Sequence, residues 1–342
     1  MSHQADPIDR GWELLESGDL AGAEVVLRKA EKRDPASAEV LCLAAAVASA
    51  RGEVDAALEL LTRAAEADPD DPHALLQAAE LQLYSHGDAA AALALVERAL
   101  PLVEDDEERA DVLLLRAEAE LLREDDDDAG AEGAMAAMEV VEELAIRDPV
   151  LLTRAGHVYI ELDDGAQAER AFLAAIDEDP SQADAHHGLG LVYEQRGDRE
   201  AMIKAWRDTR RLDELTPPPL WHISTDEFER VAEEAMEELP PEVLDRLENV
   251  PILIEDLPGE HLVREGYDPR LLGLFSGIAL PHKSHVSGQV PAIDAVHLYQ
   301  RNLERHSNHR EQLLEEIRTT VLHETAHFFG LDDDDLDKIG LG

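Results

Sequence analysis

A spacing of 34 to 35 residues recurs along the first two-thirds of the sequence and constrains its fold more than any other feature. Asp-Pro dipeptides occur at Asp34-Pro35, Asp68-Pro69, Asp148-Pro149 and Asp179-Pro180. A glycine followed by an acidic residue lies between them, at Gly18, Gly52, Gly87 and Gly197 and, less clearly, at Asp164-Gly165. Each unit is therefore predicted to be a helix, a glycine turn and a second helix that stops at Asp-Pro.

The unit 36–69 shows why such helices must pack in series. Its first helix has an apolar face made of Val40, Leu41, Leu43, Ala44 and Val47, and its second has one made of Ala57, Leu58, Leu61, Ala64 and Ala65. Neither helix can bury its face alone, but stacking against the next unit buries both, which predicts an α-solenoid. The composition agrees, because 44% of residues are hydrophobic while only 4% are aromatic, so the apolar mass is mainly Ala and Leu.

The period and the small residues resemble the tetratricopeptide repeat (TPR). Consensus-like positions include Gly190, Tyr193, Gly197, Ala201 and Trp206. The resemblance covers about residues 8–213 in five or six units, and it implies a protein or peptide partner for the array. The stretch 101–148 matches least well, because the acidic run at 124–128 stands where a turn is expected. We interpret that run as a solvated loop, with a metal-binding role as the weaker alternative.

A second domain is predicted after the prolines of Thr216-Pro217-Pro218-Pro219, which cannot continue a helix. The predicted limits are 1–215 for the repeats, 216–221 for a linker and 222–342 for the second domain, which contains nine of the fifteen histidines. Helices are expected at 224–239, 240–249 and 311–329, and strands at 250–255, 271–280 and 295–299. The chain as a whole is therefore predicted to be mostly α, with an N-terminal TPR-like α-solenoid followed by a small α+β domain.

The late helix carries the residues that indicate chemistry. His323 and His327 are four positions apart and share a helix face, so both imidazoles can reach one ion, and Glu324 is placed to take a proton from metal-bound water. Ile317, Thr320, Val321 and Ala326 predict a buried face for this helix. Gly330 provides a turn, and Asp333 follows with an oxygen ligand. Two imidazoles and a carboxylate in an open tetrahedral site favour Zn²⁺.

The segment TVLHETAHFFGLDDDDL resembles the zincin-like, minimal metallopeptidases of bacteria, whose motif is HExxHxxGxDD, and the resemblance covers about residues 222–340. It implies that His323, His327 and Asp333 bind zinc and that Glu324 is the general base. Asp332 is the rival third ligand. A peptidase also needs a group that stabilises the oxyanion, and the candidates are His297, Tyr299, Tyr267, His282 and His285.

Three functions follow from these residues. The first is a zinc-dependent metallopeptidase whose repeat array recruits a protein partner or presents the substrate. The alternative is a non-catalytic adaptor whose C-terminal domain binds zinc structurally, although structural sites usually fill all four positions with Cys or His. The third is an amidase or deacetylase that uses the same zinc chemistry.

The charge of the chain limits the partners that it can bind. Asp and Glu number 77 against 30 Lys and Arg, a net charge of −47, which argues against nucleic acid and anionic membrane surfaces as partners and favours a basic or extended peptide. Cys42 is the single cysteine, so no intrachain disulfide is possible, and it is predicted to lie in the core of a repeat. No apolar run of 18 residues and no signal peptide occur, so a cytoplasmic protein is expected. Adaptation to a salt-rich cytoplasm and an ordinary solvated acidic surface both explain the acidity.

Overall fold

The computed structural model describes residues 7–123, 127–237, 239, 250–276 and 295–329. The chain divides into two compact units, Met1–Leu212 and Asp213–Gly342. The domain limits drawn from the sequence stay a prediction.

The first unit is built from helices that pack as consecutive antiparallel pairs. They are α1 (Pro7–Glu16), α2 (Leu20–Glu31), α3 (Ala38–Ser49), α4 (Val54–Ala67), α5 (His73–Glu80), α6 (Ala89–Ala99), α7 (Asp106–Leu121), α8 (Asp127–Val141), α9 (Pro149–Glu161), α10 (Gly165–Glu178), α11 (Ala183–Gln195) and α12 (Arg199–Leu215), whose last three residues fall in the second unit. A π-helical turn, Leu81–Ser85, extends α5, and a 3₁₀ turn, Leu100–Leu102, extends α6. The predicted α-solenoid of helix pairs is confirmed.

The glycine-acid turns have a simple physical basis. Gly18, Gly52, Gly87 and Gly197 all adopt positive φ, between 68° and 85°, a region that glycine enters without a steric penalty. The acid that follows three of them caps the next helix: Asp19 accepts from Gly22 N–H, Asp88 from Ala91 N–H and Asp198 from Ala201 N–H. The turn and the cap together explain why this dipeptide recurs between helices.

The apolar cores pass from one helix pair to the next. Leu43 on α3 packs with α1 and α2, while Leu41 on the same helix packs with α4 and α5. A later core joins α7 through α11 and includes Met138 of α8 and Phe172 of α10. The stretch 101–148, which matched the repeat pattern least well, thus supplies a regular pair, α7 and α8, to a continuous core.

The second unit combines four described helices with one small sheet. The helices are α13 (Thr225–Glu237), α14 (Glu260–Glu265), α15 (Gln300–His306) and α16 (Arg310–Phe328), and the strands are β1 (Ile252–Glu255), β2 (Gly273–Ser276) and β3 (Ala295–Tyr299). The strand order is β1-β3-β2, with β1 parallel and β2 antiparallel to the central β3. One sheet face packs on α13 and α16 through Val296, Leu298, Phe228, Ile317 and Val321.

The predictions for the second unit agree with the described residues except that α14 and α15 were not predicted. The helix predicted at 224–239 spans Thr225–Glu237, and the one predicted at 311–329 spans Arg310–Phe328. Each predicted strand contains an observed strand. The helix predicted at 240–249 lies outside the described residues. The segment 216–221 contains neither helix nor strand, and α12 ends at Leu215, directly before it.

None of the described helices is long and apolar enough to span a lipid bilayer.

Candidate metal centre

The metal-binding motif lies near the end of α16, on a helix that is anchored in the core. The side chain of His309 caps its first turn by accepting from Gln312 N–H. The predicted buried face is confirmed, because Ile317, Thr320, Val321 and Ala326 are all 9% exposed or less. Since this face fixes the rotation of the helix, the side chains of the motif are held on a defined surface.

The two histidines converge. His323 Nε2 and His327 Nε2 are 3.0 Å apart, and their rings meet edge to face with centroids separated by 4.7 Å. Nitrogen ligands that lie 2.0–2.1 Å from a tetrahedral zinc are separated from each other by about 3.3 Å. The observed pair is close to that separation, so these imidazoles fit a single zinc ion.

Glu324 lies beside the two histidines and is held in place by a strand. Its ligand atom and those of the two histidines all lie within 4.8 Å of one another, and Glu324 is buried whereas both histidines are half-buried. The backbone N–H of Phe275 on β2 donates to Glu324 Oε2 at 2.7 Å. Strand β2 thus holds the carboxylate beside the imidazoles.

Gly273 allows this close approach. A Cβ atom at Gly273 would lie 2.7 Å from Glu324 Cγ and 2.8 Å from Thr320 Cγ2, distances that real Cβ atoms do not adopt. The sequence did not predict that Gly273 and the Phe275 N–H belong to the site. The N–H belongs to the backbone and has no sequence signal, whereas a glycine inside a predicted strand was a usable signal of close approach.

The proposed third ligand cannot be placed. Asp333, its rival Asp332 and the turn residue Gly330 all lie outside the described residues.

The candidates for oxyanion stabilisation differ in their hydrogen bonds and in their burial. His297 is hydrogen-bonded through both ring nitrogens, to Glu255 and to Ser276. Tyr267 is 42% exposed. Tyr299 is fully buried, and its hydroxyl has no hydrogen-bond partner among the described residues. Burial and the negative charges of Glu255 and Glu324 raise the pKa of Tyr299 above its usual value. His282 and His285 lie outside the described residues.

Cys42 is confirmed as a core residue. It is 7% exposed on α3, and burial together with Asp71 and Glu39 raises the pKa of its thiol to about 11. A thiol in this state is a poor nucleophile at neutral pH. Of the acidic run at 124–128, residues 124–126 lie outside the described part, and Asp127 begins α8.

The sequence and fold are similar to those of known families. The model of the zincin-like metallopeptidases matches residues 247–342. Two models of the tetratricopeptide repeat match residues 14–81 and 153–206. None of the curated proteins matches this sequence.

Several solved structures resemble this chain. The crystal structure of the APC/C hetero-tetramer Cut9–Hcn1 has a TM-score of 0.50 at 17% identity, covering 70% of this chain and 44% of that one. The type IV pilus biogenesis factor PilW has a TM-score of 0.49 at 14% identity, covering 60% of this chain and 91% of that one. Pseudomonas aeruginosa pilF has a TM-score of 0.47 at 20% identity, covering 60% and 90%. At these identities the likeness concerns the fold alone.

Proposed function

Because this chain combines tetratricopeptide repeats with a zincin-like metallopeptidase domain, we propose that it is a zinc-dependent peptidase whose repeat array recruits a protein partner or a peptide substrate. His323, His327 and Asp333 bind the zinc ion, and Glu324 is the general base. The protein acts in the cytoplasm. Disulfides are rare in that compartment, and the single cysteine, Cys42, is free and buried.

The observation that carries this proposal is the convergence of His323 Nε2, His327 Nε2 and the Glu324 carboxylate within 4.8 Å. Bound zinc would act as a Lewis acid and lower the pKa of a water molecule at the site. A purely structural zinc site has no need of a general base, whereas a hydrolytic site needs one.

The contacts of Glu324 support its role as the general base. The Phe275 N–H fixes its carboxylate next to the imidazoles, so it can accept a proton from the attacking water and deliver that proton to the leaving amine. Its burial excludes bulk water from the carboxylate and strengthens this hydrogen bond.

The repeat unit offers a surface for the recruited partner. A cavity of about 500 Å³ is lined by residues of α1, α3 and α5 and by Asp71, two positions before the start of α5. Its lining consists of Ile8, Asp9, Trp12, Glu39, Cys42, Asp71, His73 and Gln77. Three carboxylates beside an indole ring favour an extended peptide that carries Lys or Arg, because the ring face and the acids both attract a cation.

Metal analysis of the full chain tests the site. We expect one zinc per chain in protein purified without chelator, and loss of that zinc in the double variant His323→Ala/His327→Ala. The third ligand is identified by comparing Asp333→Ala with Asp332→Ala, of which Asp333→Ala is expected to release the zinc. A wild-type protein without stoichiometric metal would overturn the proposal.

Hydrolysis of a fluorogenic peptide library tests the chemistry. Glu324→Gln is expected to retain zinc and to lose activity by about 10²–10⁴-fold, the usual contribution of general acid–base catalysis. Glu315→Gln is the matched control, since this exposed residue lies on the same helix. Retained hydrolysis in Glu324→Gln would remove the general base from the mechanism. Zinc binding without cleavage of any peptide would favour the adaptor, and cleavage of amide substrates other than peptides would favour the amidase or deacetylase.

A further inference from the structure

The small sheet has a second face, opposite the one that packs on α13 and α16. Residues paired directly across strands point to the same side. Val296, Leu298 and Phe275 point to the core between α13 and α16, so His297 and its direct partners Leu253 and Leu274 point to the other side. Glu255 and Ser276 lie on that second face too, in the rows on either side of His297.

Three polar side chains on this face form a continuous line across all three strands. Ser276 Oγ on β2 lies 3.0 Å from His297 Nε2 on β3, and His297 Nδ1 lies 3.0 Å from Glu255 Oε2 on β1. With the Nδ1 proton directed at the Glu255 carboxylate, Nε2 is an acceptor for the Ser276 hydroxyl, and at 3.0 Å it is the nearer of two acceptors, since the Ala295 carbonyl oxygen lies 3.4 Å from Ser276 Oγ. This is the order of hydroxyl, imidazole and carboxylate that activates a serine nucleophile, and such a set is recognised by geometry rather than by sequence position.

Two of these three side chains are partly exposed. The side chain of His297 is 21% exposed and that of Glu255 is 47% exposed. Leu253, which pairs with His297 across the sheet, is 42% exposed and adds apolar surface beside the imidazole. Leu274 flanks the imidazole on its other side. An apolar acyl group can therefore lie next to the serine.

We propose that Ser276, His297 and Glu255 form a second reactive centre, made of other side chains than the metal centre, that transfers and hydrolyses short apolar acyl groups from esters. Ser276 is the nucleophile, His297 is the general base, and Glu255 positions the imidazole. This activity goes beyond the proposed zinc peptidase and does not depend on it.

The reaction needs no reagent other than the ester and water. Ser276 Oγ bonds to the acyl carbon while its proton passes to His297 Nε2, and the bond from that carbon to the leaving oxygen breaks as His297 returns the proton to the leaving alcohol. Water then attacks the acyl-serine, again through His297, which releases the acid and restores the Ser276 hydroxyl.

The two centres can be tested independently, because a reactive serine can be labelled with a covalent reagent. The full chain is treated with a fluorophosphonate, which bonds phosphorus to the serine oxygen and releases fluoride, and the adduct is located by peptide mass spectrometry. We expect one adduct per chain on the peptide that contains Ser276, and none on that peptide in Ser276→Ala. Ser181→Ala is the matched control, since the Ser181 hydroxyl donates to the Asp179 carboxylate rather than to an imidazole, and its labelling should equal that of the wild type.

Kinetics of p-nitrophenyl butyrate cleavage assign the other two roles. His297→Gln is expected to lower the acylation rate by at least about 100-fold, the lower range for loss of a general base. Glu255→Gln is expected to lower the maximal rate but to leave the half-saturating ester concentration unchanged, which a loss of binding would not do. Circular dichroism checks that each variant is folded.

Two outcomes would overturn the proposal. One is a wild-type protein that takes up no fluorophosphonate on Ser276. The other is an acylation rate that is the same in Ser276→Ala as in the wild type. If His297→Gln does not fold, the mapped adduct and Ser276→Ala still decide the question, because removing one hydroxyl from an edge strand leaves the core face intact.

Discussion

At the scale of single residues, Gly273 decides whether Glu324 can hold its position. A methyl group at this site would lie 2.7 Å from Glu324 Cγ and 3.0 Å from Glu324 Oε1. We expect Gly273→Ala to displace the carboxylate from the Phe275 N–H and to destabilise the protein by about 1–3 kcal/mol, the usual cost of overpacking. Zinc content should stay unchanged while peptide hydrolysis falls, and both can be measured on the same preparation.

Gly165→Ala is the control for this change. The nearest atoms to a Cβ at Gly165 are 3.9 Å away, an ordinary van der Waals contact. Its free energy of unfolding should lie within about 0.5 kcal/mol of the wild type. A Gly273→Ala protein as stable and as active as the control would show that the close approach of β2 to α16 has no role.

The sequence predicted only the part of the metal centre that depends on spacing along one helix. Four-residue separation on a helix predicts that His323 and His327 meet, and the structure confirms this. The partner of Glu324 is a backbone N–H 49 positions earlier, which depends on how β2 lies against α16. Likewise, His297 and Ser276 are brought together by strand register, which residue types do not specify.

At the scale of helices, the repeat pairs depend on large side chains seated against glycines. Phe172 of α10 is fully buried. A Cβ at Gly156 of α9 or at Gly188 of α11 would lie 2.5 Å or 2.2 Å from its ring. Phe172 thus fills space between three helices that only glycine leaves open.

Removing this ring should open a cavity in the longest of the described cores. We expect Phe172→Ala to lower the free energy of unfolding by about 3–5 kcal/mol, the range for buried Phe to Ala changes. Leu173→Ala is the matched control, because Leu173 is the next residue and is 46% exposed. Urea denaturation followed by circular dichroism compares the two. Equal losses for both variants would contradict the packing of Phe172 against α9 and α11.

The turns show where sequence pattern predicts helices well and where it is imprecise. Gly18, Gly52, Gly87 and Gly197 mark true turns, because positive φ is costly for other residues. At the weaker Asp164-Gly165 position, Asp163 adopts the positive φ of 57°, and Asp164 caps a helix that begins at Gly165. The Asp-Pro at 148–149 begins α9 rather than ending a helix, since Asp148 is a good cap and proline is tolerated at the first helical position.

At the scale of the whole molecule, the dominant feature is charge. Residues 1–215 carry 51 acidic and 20 basic side chains, and the remainder of the chain carries 26 and 10, so the excess is general rather than confined to one segment. With a net charge of −47, the acidic side chains of the compact state repel one another. Added salt shortens the range of that repulsion from about 10 Å at 0.1 M to about 3 Å at 1 M. Salt should therefore stabilise the folded chain.

Thermal unfolding at increasing salt tests this effect. We expect the melting temperature to rise by about 4–8 °C between 0.05 and 1 M NaCl, which corresponds to about 2 kcal/mol for domains of this size. Sodium sulfate at equal ionic strength separates screening from surface exclusion, because screening gives the same rise with both salts whereas exclusion favours sulfate. A melting temperature that does not change with NaCl would mean that the acidic side chains are already well solvated and far enough apart. The acidity would then reflect an ordinary solvated surface rather than adaptation to salt.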